Sequence, residues 1–452
     1  MRIRSRPASR NLRLQGLRHV TAALVLVQSA ACAAADADVA AVGAAIDRGV
    51  DYLARTQASD GSWNSFGHQL GETALAGLAI VSAGRPIDSP QVTAAAHAVR
   101  RGVATVPSTY DISLVIMFLD RLGRPEDAQL LRNLSLRLMG GQCFDGSWSY
   151  DLPLAAAGGS QRQSGGSSGD NSNTQFAAIA AWIGRRHGLN NDAALQRLDR
   201  HFRNTFDPAS GGWAYGSHGA ATPTMTCAGL VGLATHRGAE KQRIGDEAAP
   251  SRSSEPAGRG AAARGRAADD PVAKRALQAL GQELLLANRN GGAPINQDLY
   301  FFWSLERVGV IYDIRSIGGV DWYRWGAERL VKGQLPNGEW SGVSSSKGWR
   351  FEANVGTSFA ILFLSKANVA ADLTAQVGNG DVVERGGNVP EDLAPPGLGG
   401  GSQFMQRAGK ADSPPPSPGA QPPRERKQQL RSDSRLPPKP KPAAEPGPLE
   451  PF

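Results

Sequence analysis

Two aspartates and a group of aromatic residues are the side chains of this chain whose types could support chemistry. Asp111 and Asp298 fall at equivalent positions, each at the start of a predicted apolar helix. A carboxylic acid can donate a proton, and the faces of aromatic rings stabilise a nearby cation. One hypothesis is therefore a ligand cavity with one of these acids at its mouth. The predicted lining of that cavity is Tyr300, Trp303, Trp322 and Trp325.

The same residues also have a structural interpretation, in which they take no part in binding or chemistry. Aromatic side chains commonly fill the core between helices, and aspartate is a preferred N-cap residue. On that interpretation Asp111 and Asp298 cap helices and the aromatic residues pack. Both alternatives stay open at the level of the sequence, so whether the protein is an enzyme is open as well.

The sequence contains no pattern of metal or cofactor ligands. Its seven histidines are scattered without a His-x-x-x-His pair, and the cysteines stand at no ligand spacing. The segment Gly165–Gly169 matches Gly-x-Ser-x-Gly but lies in a polar loop, without the strand and helix that a nucleophilic serine requires. We therefore predict no metal, no cofactor and no serine nucleophile. Cys143 and Cys227 are predicted as small buried residues, although a disulfide between them remains an alternative.

The clearest feature of the chain is a short repeated segment. Gln57-Ala-Ser-Asp-Gly-Ser-Trp63 recurs in altered form as 142–148 and 334–340, with a partial copy at 207–213. A threonine follows each copy near the start of an apolar helix, where it is predicted to cap free amides. The residues assigned to this structural repeat are Gln57, Asp60, Trp63, Gln142, Asp145, Trp148, Trp213, Gln334 and Trp340.

Helical periodicity dominates the segment that carries the repeats. It predicts an all-α array of twelve helices in six pairs. The first members are predicted at about 41–56, 90–103, 125–139, 191–203, 271–287 and 322–332, and their partners at about 72–83, 109–122, 173–187, 224–235, 298–309 and 355–366.

The ends of the chain differ in composition from the array. Residues 1–33 combine a basic segment, a short apolar run and an Ala-Cys-Ala site, which predicts an export signal and a periplasmic or secreted protein. An uncleaved N-terminal anchor is the alternative. Residues 39–367 are assigned to the helical array, with a predicted disordered insertion at 237–270. Residues 372–452 are predicted to be a disordered, Pro-rich basic tail that serves as a spacer or contacts an acidic polymer or the cell wall.

The formal net charge of +8 is concentrated in the export signal. Six arginines precede residue 34, and without them the net charge is +2. The basic character is therefore mainly a targeting feature, and we predict no specific binding of nucleic acid.

The repeated segments resemble the QW-type repeats of squalene and hopene cyclases. Those enzymes share the terpenoid-cyclase-like (α/α)6 toroid with protein prenyltransferases. The resemblance covers most of residues 39–367. It implies a closed double ring in which the second helix of each pair lines the inside. It also implies that the glutamine braces the start of a helix while the tryptophan packs across it.

The catalytic motifs of these relatives are not present. The resemblance implies an Asp-x-Asp-Asp acid for a squalene-type cyclase, and the nearest acidic pair, Asp269-Asp270, precedes a helix and suits a cap. A prenyltransferase would hold zinc through Asp-x-Cys, where this chain has Asp298-Leu299-Tyr300. The Gly-Cys-Gly-Glu-Gln thioester segment of other toroids is also missing.

The sequence thus predicts an exported toroid that binds a partner or ligand. The ligand is expected to be hydrophobic or isoprenoid-like and to occupy a central cavity, and the alternative partner is a cell-envelope component on the rim. A terpenoid- or polyprenyl-processing enzyme that uses Asp111 or Asp298 as acid is the first rival. A carbohydrate-active (α/α)6 barrel is the second, but it would need two carboxylates across a cleft.

Overall fold

The fold consists of paired helices. A computed structural model describes residues 38–64, 68–152, 166–248, 270–290, 297–341 and 352–378. The helices are α1 (38–56), α2 (Gln69–Ser82), α3 (Pro90–Gly102), α4 (Thr109–Leu122), α5 (Ala128–Gly140), α6 (Asn171–Arg186), α7 (Asp192–Thr205), α8 (Pro223–Ala248), α9 (Pro271–Arg289), α10 (Leu299–Ile311), α11 (Trp322–Gly333), α12 (Ala353–Leu364) and α13 (Ala371–Val377). Short 3₁₀ turns lie at Val103–Thr105 and Pro125–Asp127, and strands β1 (Ser316–Ile317) and β2 (Val320–Asp321) form a small antiparallel hairpin.

The twelve helices α1 to α12 form a closed double ring. Each even-numbered helix packs against the next, and α12 packs against α2, which closes the inner ring. The inner helices are buried on all sides, as in α6, where every residue from Asn171 to Gly184 is buried. The outer helices bury one stripe, such as Ala194, Leu195, Leu198 and Phe202 of α7. The predicted all-α (α/α)6 toroid is confirmed.

The glutamines of the repeats join each helix pair to the next outer helix. The Gln57 side-chain amide donates to the carbonyl of Gly61 in its own loop and to that of Gln91 in α3. Gln142 and Gln334 repeat this arrangement, with Ala194 of α7 and Ala45 of α1 as the distant acceptors. Because the Gln334 contact reaches α1, the last repeat also closes the outer ring.

The tryptophans of the repeats anchor each loop to the helix before it. The indole N–H of Trp63 donates to Leu53, ten residues earlier. The backbone N–H of Trp63 donates to the hydroxyl of Thr73. The same indole contact recurs at Trp148, Trp213 and Trp340. Thr73 is the fifth residue of α2, where His68 is the N-cap, and its hydroxyl bonds the backbone of Trp63 in the loop, so the prediction that it caps the helix was wrong.

A glycine in each complete joint allows the loop to approach the next outer helix. Gly61 has a φ of +87°, and a Cβ at this position would lie 2.5 Å from the carbonyl oxygen of Ala94 in α3. The corresponding glycines are Gly146 and Gly338. Asp60 completes the turn by accepting hydrogen bonds from the backbone and the hydroxyl of Ser62. The repeated segment is therefore a joint between neighbouring helix pairs.

Two predicted boundaries are wrong. Helix α8 continues to Ala248, so residues 237–248 of the predicted disordered insertion are helical. This extension is held because Gly238 packs closely against Trp182 and Leu373. Residues 372–377 of the predicted tail form most of α13, and Leu373 and Val377 are fully buried. The predicted export signal (1–33), residues 249–269 and residues 379–452 lie outside the described residues.

No described helix is both long enough and apolar enough to cross a membrane.

Candidate functional site

The first turns of the inner helices meet at one end of the ring. The Tyr110 hydroxyl at the start of α4 donates to Ser172 of α6, at 2.7 Å. The Ser172 hydroxyl lies 2.9 Å from the Tyr300 hydroxyl of α10, which in turn donates to Gln175 at 3.0 Å. One chain of hydrogen bonds therefore connects three inner helices across this end of the ring.

Aromatic rings fill the space beneath this chain. Phe176 of α6 stacks on Trp303 of α10, with ring centroids 4.6 Å apart. Phe359 of α12 lies 5.6 Å from Trp303 and 5.8 Å from Tyr300. Phe176, Trp303 and Phe359 are all buried. The described side chains at this level of the ring thus pack directly against each other.

Two further tyrosines extend the aromatic surface outwards. Tyr150 and Tyr215 are 49% and 46% exposed, and their hydroxyl groups lie 2.5 Å apart. The Tyr150 ring is 5.8 Å from that of Tyr110. Their backbone carbonyls accept from the first residues of α4 and α6, which fixes both loops on the helix starts. We call Tyr110, Tyr150, Tyr215 and Tyr300 the tyrosine mouth.

Burial changes the acidity of three of the four phenols of the mouth. Burial raises the pKa of Tyr110, Tyr215 and Tyr300 well above the ordinary value of 10.0. Burial also raises the pKa of Asp170, although this N-cap of α6 accepts hydrogen bonds from Asn173, Tyr215 and Ser172. Tyr110, Tyr215 and Tyr300 are therefore weaker acids than an ordinary tyrosine side chain.

One buried amide at the mouth lacks an acceptor. The Oε1 atom of Gln175 accepts from Tyr300 and from Ser304. Its Nε2 atom has no hydrogen-bond partner among the described residues, and the side chain is fully buried. An unsatisfied buried donor costs about 1–3 kcal/mol. This position is suited to an oxygen acceptor.

Asp111 lies at the rim of the same end and holds the start of α2. Its Oδ1 atom accepts from the Gly71 backbone N–H at 2.7 Å, and its Oδ2 atom lies 3.3 Å from Nδ1 of His68. The hydrogen bond to Asp111 raises the pKa of His68, whose side chain is 41% exposed. Asp111 therefore positions a histidine that sequence reasoning had not selected.

Asp298 has a different role from Asp111. It is the N-cap of α10, and its side chain accepts from the Phe301 backbone N–H. Asp111 is the third residue of α4, where Ser108 is the N-cap. The two aspartates are therefore three residues apart in helix register, and the sequence-based equivalence between them was wrong.

The predicted cavity lining is divided between two places. Tyr300 and Trp303 belong to the aromatic group at the ring centre. Trp322 instead packs on Gly309 of α10 and donates from its indole to Ile314, while Trp325 stacks on Phe302. Trp322 and Trp325 thus fill the space between α11 and the inner ring and do not reach the mouth.

Sequence reasoning missed most of the mouth. Tyr110, Phe176 and Phe359 stand in the first two turns of inner helices, which is a signal that could have selected them. Tyr150 and Tyr215 come from loops 65 residues apart and had no such signal.

Cys143 and Cys227 are buried free thiols. No group of three or more His, Cys, Asp or Glu side chains in the described ranges is arranged to hold a metal.

Several solved structures are similar to this chain at low sequence identity. One is a variant of the type II terpene cyclase MstE from Scytonema in complex with geranylgeranyl dihydroxybenzoate. The match covers 74% of this chain and 99% of the MstE chain, at 14% identity and a TM-score of 0.45. The GH76A α-1,6-mannanase from Salegentibacter sp. HEL1_6 covers 73% and 99%, at 10% identity and a TM-score of 0.47. A protein from Actinoplanes covers 73% and 99%, at 16% identity and a TM-score of 0.43. No family model and no curated protein matches the chain.

Proposed function

We propose that this protein is an exported binding protein that holds a hydrophobic, isoprenoid-like ligand against the tyrosine mouth. One observation carries the proposal: an aromatic surface runs continuously from the half-exposed Tyr150 and Tyr215 to the buried Phe176 and Trp303. Aromatic faces with a few placed polar groups are typical of small-molecule sites. The ring supplies a rigid frame because five inner helices contribute to this end.

The polar groups of the mouth limit what the ligand can be. The phenol hydroxyls of Tyr110 and Tyr300 form part of a hydrogen-bond chain, and the Gln175 amide has an unused N–H. A ligand with an apolar body and one oxygen, such as a prenyl alcohol or carbonyl, fits both features. A hydrocarbon without oxygen would leave the amide unsatisfied.

The positions of the acids support binding over catalysis. Asp111 accepts from a backbone N–H and contacts His68, and Asp298 caps α10. Burial raises the pKa of Tyr110 and Tyr300, which makes both phenols poorer proton donors than an ordinary tyrosine side chain. Export rests on the basic and apolar character of residues 1–33.

A panel of ligands tests this proposal directly. We expect the purified full chain to show a rise in Tm with farnesol or geranylgeraniol, and native mass spectrometry to detect a co-purified lipid. Combined Tyr150→Ala and Tyr215→Ala substitutions remove two half-exposed rings without removing the backbone carbonyls that hold the helices. This variant should therefore fold and lose the shift.

A matched control uses another exposed aromatic residue. Phe144 is 71% exposed and is not one of the four tyrosines of the mouth, so Phe144→Ala removes one exposed ring and leaves the mouth intact. Its ligand-induced shift should equal that of the wild type. The proposal fails if no prenyl compound shifts the Tm, or if the tyrosine variant and the control respond alike.

A terpenoid- or polyprenyl-processing enzyme is the second candidate, and the His68–Asp111 pair is the observation that favours it. A half-exposed histidine with a raised pKa can donate a proton at the rim of the mouth. Product formation from a prenyl substrate should then be lost in His68→Asn and in Asp111→Asn. Turnover that survives both substitutions would exclude this pair as the acid.

A further inference from the structure

A second binding site lies on the outside of the ring, beside helix α7. A groove of about 390 Å³ is formed by α7, by the loop of the second joint and by the loop that follows Trp213. Five residues of α7 line it at helical spacing i, i+3, i+4, i+7 and i+8. These residues are Arg197, Arg200, His201, Asn204 and Thr205. Phe144 and Ser217 form the facing wall.

Neither arginine of the groove forms an ion pair with a carboxylate of a described residue. Nε and Nη2 of Arg197 donate to Oε1 of Gln142, at 3.0 and 2.6 Å, which fixes the guanidinium in place. Arg200 makes no hydrogen bond or ion pair within the described residues and is exposed. Arg203 on the same helix differs, because it pairs with both Asp199 and Asp270.

The carboxylate of the groove is already engaged. Oδ1 of Asp145 accepts from the backbone N–H and the hydroxyl of Ser147. Oδ2 lies 3.4 Å from Nδ1 of the buried His201, whose Nε2 atom contacts Asn171 at 2.9 Å. Burial would raise the pKa of Asp145, but the nearby His201 ring and the hydrogen bonds from Ser147 outweigh it and lower the pKa. Asp145 is therefore held by Ser147 and lies beside the His201 ring.

The groove thus holds two neighbouring guanidinium groups that form no ion pair with a described carboxylate, beside the carboxylate of Asp145, which contacts Ser147 and His201 instead. Burial, together with the positive charge of Arg200, lowers the pKa of Arg197, which is the expected sign for two like charges close together. Planar guanidinium groups recognise the oxygens of phosphates through paired hydrogen bonds. The exposed Phe144 ring offers an apolar face for an organic group attached to such an anion.

We propose that this groove binds a phosphate monoester through Arg197, Arg200 and Asn204, with Phe144 against its organic part. A dianion matches two guanidinium groups better than a single carboxylate does. The monoester could be a free small molecule or the headgroup of a lipid such as phosphatidate. This proposal does not depend on the ligand of the tyrosine mouth, since the two sites share no lining residue.

Calorimetric titration of the full chain with phenyl phosphate, inorganic phosphate and benzoate tests the proposal. We expect phenyl phosphate to bind more tightly than phosphate, and benzoate to bind weakest. Binding of the protein to phosphatidylcholine vesicles, measured with and without phosphatidate, distinguishes a lipid headgroup from a free phosphate monoester. Binding to phosphatidate vesicles alone would identify the lipid headgroup, whereas binding of phenyl phosphate in solution would identify a free monoester.

Three variants assign the binding to this groove. Arg200→Gln should weaken phenyl phosphate binding about tenfold or more, because a hydrogen bond from a charged group is lost. Phe144→Ala should weaken binding of phenyl phosphate but not of inorganic phosphate. Arg289→Gln removes the same charge from the exposed end of outer helix α9 and should change nothing.

Two results would overturn the proposal. One is the absence of binding of any phosphate compound, in solution or on vesicles, at about 10 mM ligand. The other is equal affinity in Arg200→Gln and Arg289→Gln. Arg197→Lys provides a second test, because lysine keeps the charge but loses the paired geometry, and unchanged affinity would again contradict the assignment.

Discussion

The close approach of the first joint to helix α3 makes Gly61→Ala a quantitative test of how the ring is built. Gly61 and Gly84 both have a left-handed backbone, with φ of +87° and +82°. An alanine in this region costs about 1–2 kcal/mol at either position. The two glycines differ in surroundings, because a Cβ at Gly84 meets no described atom within 4 Å. Gly84→Ala is therefore a matched control, because it measures only the cost of placing an alanine in a left-handed backbone conformation.

At Gly61 the added methyl group also forces the joint apart. The new Cβ would lie 2.5 Å from the carbonyl oxygen of Ala94, whereas real Cβ atoms essentially never approach within 3.0 Å, so the loop must move by about 0.5 Å. Overpacking of this kind costs about 1–3 kcal/mol. The same movement lengthens the hydrogen bond from Gln57 to Gln91. We therefore expect Gly61→Ala to cost about 2–5 kcal/mol and Gly84→Ala about 1–2 kcal/mol.

Urea unfolding of the full chain measures this difference. The free energy of unfolding is compared for the wild type and the two variants, using the urea concentration at the midpoint of each transition and one m-value for all three proteins. An equal loss of stability in both variants would refute the reasoning that the joint glycine is required for contact with the next helix.

Three further predictions concern the rim, the last helix and the cysteines. The His68–Asp111 bond raises the pKa of His68 above 6.5, so its contribution to stability is present below pH 6.5 and lost as the pH rises through the raised value. The Tm difference between wild type and His68→Gln should shrink from pH 5.5 to pH 8.5, and a constant difference would contradict this. A chain that ends at Gly378 should keep the wild-type Tm, whereas one that ends at Ala370 loses two fully buried side chains of α13, or about 3–6 kcal/mol; equal Tm values would contradict a role for α13. Burial raises the pKa of Cys143 and Cys227, so iodoacetamide should label neither in the native protein at pH 8 and both after unfolding; labelling of the native protein would show that the thiols are exposed.

The sequence was sufficient to predict the helices because the joint marks the register of each pair. Wherever the Gln–Trp segment is complete, the loop is tied to both flanking helices, as at Gln57 and Trp63. Where it is missing, no residue marks the start of the inner helix, and Asp111 and Asp298 were therefore assigned to one register although they differ by three residues.

The remaining errors arose from contacts between distant segments. Residues 237–248 have a low-complexity composition, but Gly238 packs against Trp182 and against Leu373 of α13, and these contacts hold the helix. The tyrosine mouth likewise depends on ring closure, which brings Tyr150 and Tyr215 together from different loops. Local sequence patterns do not predict either contact, because the residues involved are far apart in the chain.

We propose that the tyrosine mouth is the ligand site of this protein. The most direct test of this proposal is photo-crosslinking of the full chain with a photoactivatable farnesol, followed by peptide mapping by mass spectrometry. We expect crosslinks on the segments that contain Tyr110, Tyr150, Tyr215 and Tyr300. Unlabelled farnesol should compete for the site and reduce these crosslinks. Crosslinks confined to the outer helices, or crosslinks that farnesol does not displace, would contradict it.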